Sequence, residues 1–180
     1  TRISLAAGPC SGKSTLSHWL VFKLKTAGYD TEFIQEEVKK SAYIGCVPNT
    51  FDQIHLLSEQ IRAELHWVKS KVDAVVTESS ILMNQVYAHQ NLRVPIRMIA
   101  EEFEIANPGL HILIKRGDKP YRQSGRFHDF DQAKELDLQI EAALRHSLAR
   151  INQLDNLKVI MYGDTEYLWE CVLQWMKRDQ

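Results

Sequence analysis

Short apolar runs alternate along the chain with longer stretches in which apolar residues recur every three or four positions. Arg2-Ile3-Ser4-Leu5-Ala6 is short and alternating, and predicts a buried strand. Leu16, Trp19, Leu20 and Leu24 repeat at helical spacing behind it, and Ala27-Gly28 is a glycine stop for that helix. Asp30-Thr31-Glu32-Phe33-Ile34 predicts a second strand, leading into Gln35-Glu36-Glu37-Val38-Lys39-Lys40. Ile44-Gly45-Cys46-Val47-Pro48-Asn49 reads as a loop. Thr50 then predicts an N-cap, with Gln53 completing a capping box. The helix it opens carries Ile54, Leu57, Ile61, Leu65 and Val68 on one face. Asp73-Ala74-Val75-Val76-Thr77 predicts a third strand, ending at Glu78-Ser79-Ser80, and helical patterns run on to about Ala106. After Asn107-Pro108-Gly109, Leu110-His111-Ile112-Leu113-Ile114 predicts a fourth strand that leaves into a basic segment. A helix follows with Ala133, Leu136, Ile140, Leu144, Leu148 and Ile151 on one face. Leu157-Lys158-Val159-Ile160-Met161 predicts the fifth strand, and Leu168, Cys171, Val172 and Trp175 mark the last helix. Strands alternating with helices predict an α/β fold with a parallel sheet covered on both faces.

The 180 residues fit one domain with a full core. A formal net charge of −1 excludes a strongly basic, nonspecific nucleic-acid binder, though not a local basic patch. Three widely spaced cysteines make neither a disulfide framework nor a zinc site, and read as reduced thiols of a cytoplasmic protein. No signal peptide and no bilayer-length apolar run is present, so no membrane partner is expected. His18, His66 and His146 fall on helical patterns and read as surface or half-buried, and the histidines receive no functional role.

Between the first strand and the first helix lies Ala7-Gly8-Pro9-Cys10-Ser11-Gly12-Lys13-Ser14-Thr15. Strand, glycine-containing loop, Gly-Lys-Ser and helix form the context of a phosphate-binding P-loop. Gly8 and Gly12 let backbone amides turn around an anion, and the helix N-terminus adds partial positive charge. The nucleotide-binding set is therefore Gly8, Pro9, Cys10, Ser11, Gly12, Lys13, Ser14 and Thr15. Lys13 reaches the β- and γ-phosphates from the solvent-facing start of the helix, and the Ser14 hydroxyl binds magnesium. Ala7 stands where the strict pattern has its first glycine; Gly8 follows at once and absorbs the turn.

Parallel sheets place ligands at the C-terminal ends of their strands. Glu36 and Glu37 follow the second strand. Glu36 is the preferred general base or hydroxyl orienter, and Glu37 the competing choice. Glu78 follows four apolar or β-branched residues, as a metal-holding carboxylate does; it joins Ser14 as the metal pair. Both sites also suit helix-start acids. Lys115-Arg116-Gly117-Asp118-Lys119-Pro120-Tyr121-Arg122-Gln123-Ser124-Gly125-Arg126 holds five cations and one acid, with glycines flanking its tip. It reads as a lid, with Arg116 and Arg126 serving the transferred group and Arg122 the nucleotide.

These stretches together resemble a P-loop kinase of the nucleoside and nucleotide kinase superfamily. They are most similar to small kinases of bacteriophages and to the nicotinamide riboside kinase domains of bacterial regulators. Glu36-Glu37-Val38-Lys39 corresponds to an E-x-A-K pattern, Thr77-Glu78-Ser79-Ser80 to T-D-S-P, and Arg116 to Arg126 to an R-x-K-x-Y…G-R lid spanning about 116–128. Val38 replaces Ala, Glu78 replaces Asp and Ser80 replaces Pro; none of these removes a needed functional group. The resemblance covers most of the chain and implies a three-layer fold with strand order 2-3-1-4-5, ATP as donor and Mg2+ as metal. Within the group the chain most resembles the phage kinases acting on 5-hydroxymethyluracil in DNA, which implies a hydroxymethyl acceptor on a base and a host-cytoplasmic setting.

Three function classes remain open on the residues themselves. A DNA-base kinase needs access to a flipped base, for which Tyr43, Phe51 and Tyr87 are candidate stacking faces or, equally, core aromatics. A small-molecule nucleoside, nucleotide or nicotinamide riboside kinase suits the near-neutral charge. A nucleotide switch or regulatory ATPase is the alternative of another class, although no guanine-reading N-K-x-D is present.

Overall fold

The structure is a computed structural model and describes residues 1–36, 49–118, 120–122 and 127–178. Five strands form one parallel sheet: β1 (Arg2–Ala6), β2 (Thr31–Ile34), β3 (Ala74–Thr77), β4 (Gly109–Lys115) and β5 (Leu157–Met161), in spatial order β2-β3-β1-β4-β5. The helices are α1 (Lys13–Thr26), α2 (Asp52–Val68), the single turn α3 (Asn84–Tyr87), α4 (Arg93–Ala106), α5 (Phe130–Arg150) and α6 (Thr165–Met176). Leu16, Leu20 and Leu24 of α1 and Leu168, Val172 and Trp175 of α6 pack on Ile3, Leu5, Leu110 and Ile112 on one sheet face. On the other face Leu57, Ile96, Ala100, Phe103, Ile140 and Leu144, from α2, α4 and α5, pack on Ala6 and Leu113. The order 2-3-1-4-5 and the three layers agree with the expectation.

Helix α1 stops where glycine allows it. Gly28 has φ 90°, its amide bonds Lys25 O at 3.1 Å, and the Tyr29 amide reaches back to Leu24 O at 3.1 Å. This paired closure satisfies carbonyls the helix end leaves open. Helix α5 shows the expected stripe, with Ala133, Leu136, Ile140, Leu144 and Leu148 buried. A reciprocal Asp129–Gln132 capping box starts it.

Helix α2 departs from expectation at both its cap and its face. The Asn49 side chain accepts from the Phe51 and Asp52 amides, and the Asp52 carboxylate accepts the Asn49 amide at 2.7 Å. The reciprocal cap is therefore one residue earlier than Thr50–Gln53, and Gln53 turns inward to Asn84 instead, at 2.6 Å. Leu57, Ile61 and Leu65 pack on the core as expected, but Gln53 and Glu64 are buried beside them while Ile54 and Val68 are exposed. Polar partners on neighbouring elements outweigh the apolar count, because a buried amide or carboxylate is tolerated only with its hydrogen bonds made.

Those partners form a buried polar band. Arg2 donates to Glu64 and, at 3.0 Å, to Glu104 Oε1. Glu104 Oε2 lies 3.2 Å from Nε2 of His111, whose Nδ1 hydrogen-bonds the hydroxyls of Ser4 at 2.9 Å and Ser80 at 3.0 Å. Arg2, Ser4 and His111 alternate with Ile3, Leu5 and Ile112 on strands read as apolar, so one face of β1 and β4 is partly ionic. The stretch to Ala106 also divides, into short turns at Ile81–Met83 and Gln90–Leu92, α3 and α4.

Candidate functional site

The P-loop closes on itself at the C-terminal edge of β1. Ser11 Oγ donates to Gly8 O at 2.8 Å. Lys13 Nζ donates to Ala7 O at 2.8 Å and Gly8 O at 3.4 Å. Lys13 is thereby 9% exposed rather than solvent-facing, enclosed by loop carbonyls and not by the apolar core. Cys10 and Gly12 adopt left-handed backbone, φ 61° and 95°. Left-handed residues placed this way turn successive amides toward a common centre, the geometry of an anion nest. No acidic residue lies in the first turn of α1 to cancel its N-terminal charge. Gly12 is required twice over, by its φ and because a Cβ there would sit 2.0 Å from the Tyr162 ring. Pro9 and Cys10 are half-buried and Thr15 is exposed at the mouth of the loop.

The metal pair expected from sequence is in contact. The Ser14 hydroxyl donates to Glu78 Oε1, and Glu78 is 1% exposed. Glu78 Oε2 accepts the Glu36 amide at 3.4 Å. One carboxylate thus links the P-loop helix to the end of β2, because β3 lies between β2 and β1. A hydroxyl, a carboxylate and the oxygens of a phosphate suit Mg2+, which takes few protein ligands and keeps several waters. Among the described residues no group of three or more His, Cys, Asp or Glu is arranged to hold a metal by itself.

Glu36 is half-buried just beyond the end of β2. Burial pushes the Tyr87 phenol well above its ordinary range, and the negative charges of Glu36 and Asp137 push it the same way. Tyr87 is nevertheless 36% exposed, with its ring 6.4 Å from that of His128. Burial holds the His128 imidazole below its usual value. Phe51, the other described stacking candidate, is exposed at the start of α2.

The basic segment divides on contact with α5. Lys115 ends β4 paired to Glu141. Arg116 pairs with Asp137 at 2.8 Å. The Arg122 amide donates to Cys10 Sγ at 3.4 Å, laying the segment's backbone against the P-loop, with the Arg122 side chain exposed. Glu37, Val38, Lys39, Tyr43, Cys46, Lys119, Gly125 and Arg126 lie outside the described residues. Asp137 carries no distinguishing mark in the sequence: it is an acid beside the stripe Ala133–Leu136–Ile140, a position any solvated helix face also fills.

No protein-family model matches the sequence, and no curated protein matches it. Solved structures do. The NadR protein in complex with NR superposes with TM-score 0.71 at 16% identity, over 98% of this chain and 52% of that one. The fold is that of the P-loop kinases. Thymidylate kinase from Ehrlichia chaffeensis superposes with TM-score 0.61 at 12% identity, covering 98% of both chains. This chain spans about half the length of the NadR protein. No helix among the described residues is long and apolar enough to cross a membrane.

Proposed function

We propose that the protein is an ATP-dependent phosphotransferase that moves the γ-phosphoryl group of ATP to a hydroxyl acceptor. The observation that carries this reading is the Ser14–Glu78 contact beside a P-loop that has left-handed residues at Cys10 and Gly12. Lys13 is held at the loop by carbonyls that a phosphate can displace, so its ammonium is already within the cradle. Ser14 and Glu78 would hold Mg2+, whose charge offsets that of the β- and γ-phosphates. Glu36 stands on the far side of Glu78 from the P-loop, where it orients the acceptor hydroxyl and takes its proton late in transfer. Arg116 and Arg126 supply cationic stabilisation and Arg122 contacts the nucleotide from the lid.

The acceptor reading is the hydroxymethyl group of 5-hydroxymethyluracil in DNA, supported by the resemblance carried in Glu36–Lys39, Thr77–Ser80 and Arg116–Arg126. A small nucleoside is the second reading, favoured by the likeness to the NadR protein solved in complex with NR. Labelled ATP is incubated with hydroxymethyluracil DNA, ordinary DNA, free nucleosides, nicotinamide riboside, or no acceptor. Label in the modified DNA alone supports the first acceptor, and label in a free nucleoside the second. Release of phosphate with no acceptor labelled replaces the kinase reading with a regulatory ATPase.

A further inference from the structure

Asp137 of α5 is tied to the P-loop by one hydrogen bond and to Arg116 by two. Its Oδ1 accepts the Gly8 amide at 2.9 Å and Arg116 Nη2 at 3.2 Å, and its Oδ2 accepts Arg116 Nε at 2.8 Å. Arg116 Nη2 also donates to the Pro9 carbonyl at 2.8 Å. A guanidinium forked onto a carboxylate is both strong and direction-setting. The rings of Tyr121 and Phe130 lie 6.0 and 5.9 Å from the guanidinium carbon and restrict its swing further. Arg116 is thus stationed on the loop rather than waving from a lid.

The same contact explains the shifted glycine. Gly8 is not among the positive-φ residues, so it is not needed there for a left-handed turn. A Cβ on Gly8 would instead lie 2.4 Å from Asp137 Oδ1 and 3.0 Å from the Ala133 carbonyl. Glycine at this position serves the close approach of α5 to the loop.

We propose that Asp137 is a positioning residue for nucleotide binding: it shapes the first turn of the P-loop and aims the Arg116 guanidinium, acting through Arg116. This rests on the phosphotransferase reading above. The proposal has an electrostatic signature. A carboxylate near a triphosphate repels it, so removing the charge of an idle acid tightens ATP binding. Removing the charge of an acid that orients an arginine weakens it.

The test titrates Mg·ATP and Mg·ADP into the wild-type chain, Asp137→Asn, Arg116→Ala, the double variant and Arg116→Lys, with a melting curve for each. Asp137→Asn keeps an acceptor for the Gly8 amide but loses the charged fork. It is expected to weaken Mg·ATP about tenfold, and less than twofold when Arg116 is already Ala. Arg116→Lys keeps the charge without the fork, and is expected to show the same tenfold loss even where Asp137→Asn fails to fold. Unchanged or tighter binding in Asp137→Asn, an equal loss in both backgrounds, or wild-type affinity in Arg116→Lys overturns the proposal. A wild-type chain that binds neither nucleotide removes the phosphotransferase reading itself, an outcome distinct from normal binding with ordinary variants.

Discussion

The Ser14 hydroxyl donates to the Glu78 carboxylate, joining the first turn of α1 to the end of β3. Side chains 64 positions apart meet because β1 and β3 are hydrogen-bonded neighbours, with Ser4 opposite Thr77. Glu78→Gln retains shape and loses charge, and Ser14→Ala loses the hydroxyl. Each is expected to raise the Mg2+ concentration needed for half-maximal transfer, by about tenfold or more. An unchanged Mg2+ titration in both variants would remove the metal assignment.

Lys13→Ala is expected to lower turnover about a hundredfold or more, the scale of losing one charged stabiliser of the transferred group. Its loss deletes hydrogen bonds to Ala7 O and Gly8 O but opens no space in the apolar core. Two net hydrogen bonds contribute about 1 kcal/mol each, so the melting temperature should fall by about 4–8 °C. Wild-type turnover at saturating ATP would overturn the P-loop reading.

Glu36→Gln tests the base. It is expected to lower turnover about a hundredfold while ATP binding is nearly unchanged. The same change at Glu37 should do little, since adjacent side chains leaving a strand point to different sides. A damaging Glu37→Gln with a silent Glu36→Gln exchanges their roles. Two silent variants favour the switch-protein reading.

Glu104 makes the buried band acid-sensitive. Burial alone raises its carboxyl, but His111, by charge and hydrogen bond, and then Arg2 outweigh it and hold the group at about 2, below its ordinary 4.5. A depressed carboxyl stabilises the fold fully above its unfolded value and loses that contribution as pH falls toward the folded one. The loss should therefore run from about pH 4.5 down to about pH 2. Urea midpoints of the wild type and Glu104→Gln between pH 7 and pH 3 report it. The variant is expected to be less stable at pH 7, by about 3 kcal/mol, because a buried charge loses a partner. The gap should narrow as the pH falls from about 4.5 to about 3. Parallel curves would show that Glu104 carries no pH-linked stability.

The sequence by itself determined what depends on near neighbours. Steric limits and apolar period set β1, the α5 stripe and the glycine stop at Gly28, and the run Gly12-Lys13-Ser14 marked the P-loop, because each is specified by residues a few positions apart. Strand order followed only from resemblance. Tertiary structure alone decided which polar groups paired. Ser4, Gln53, Glu64, Glu104 and His111 look like surface or incidental residues until their partners arrive from other elements. Asp137 reads as a solvated acid until packing of α5 brings it to Gly8 and Arg116. A buried charge is stable only beside its counter-charge, and that juxtaposition is a property of the packed sheet and helices, not of any local stretch of chain.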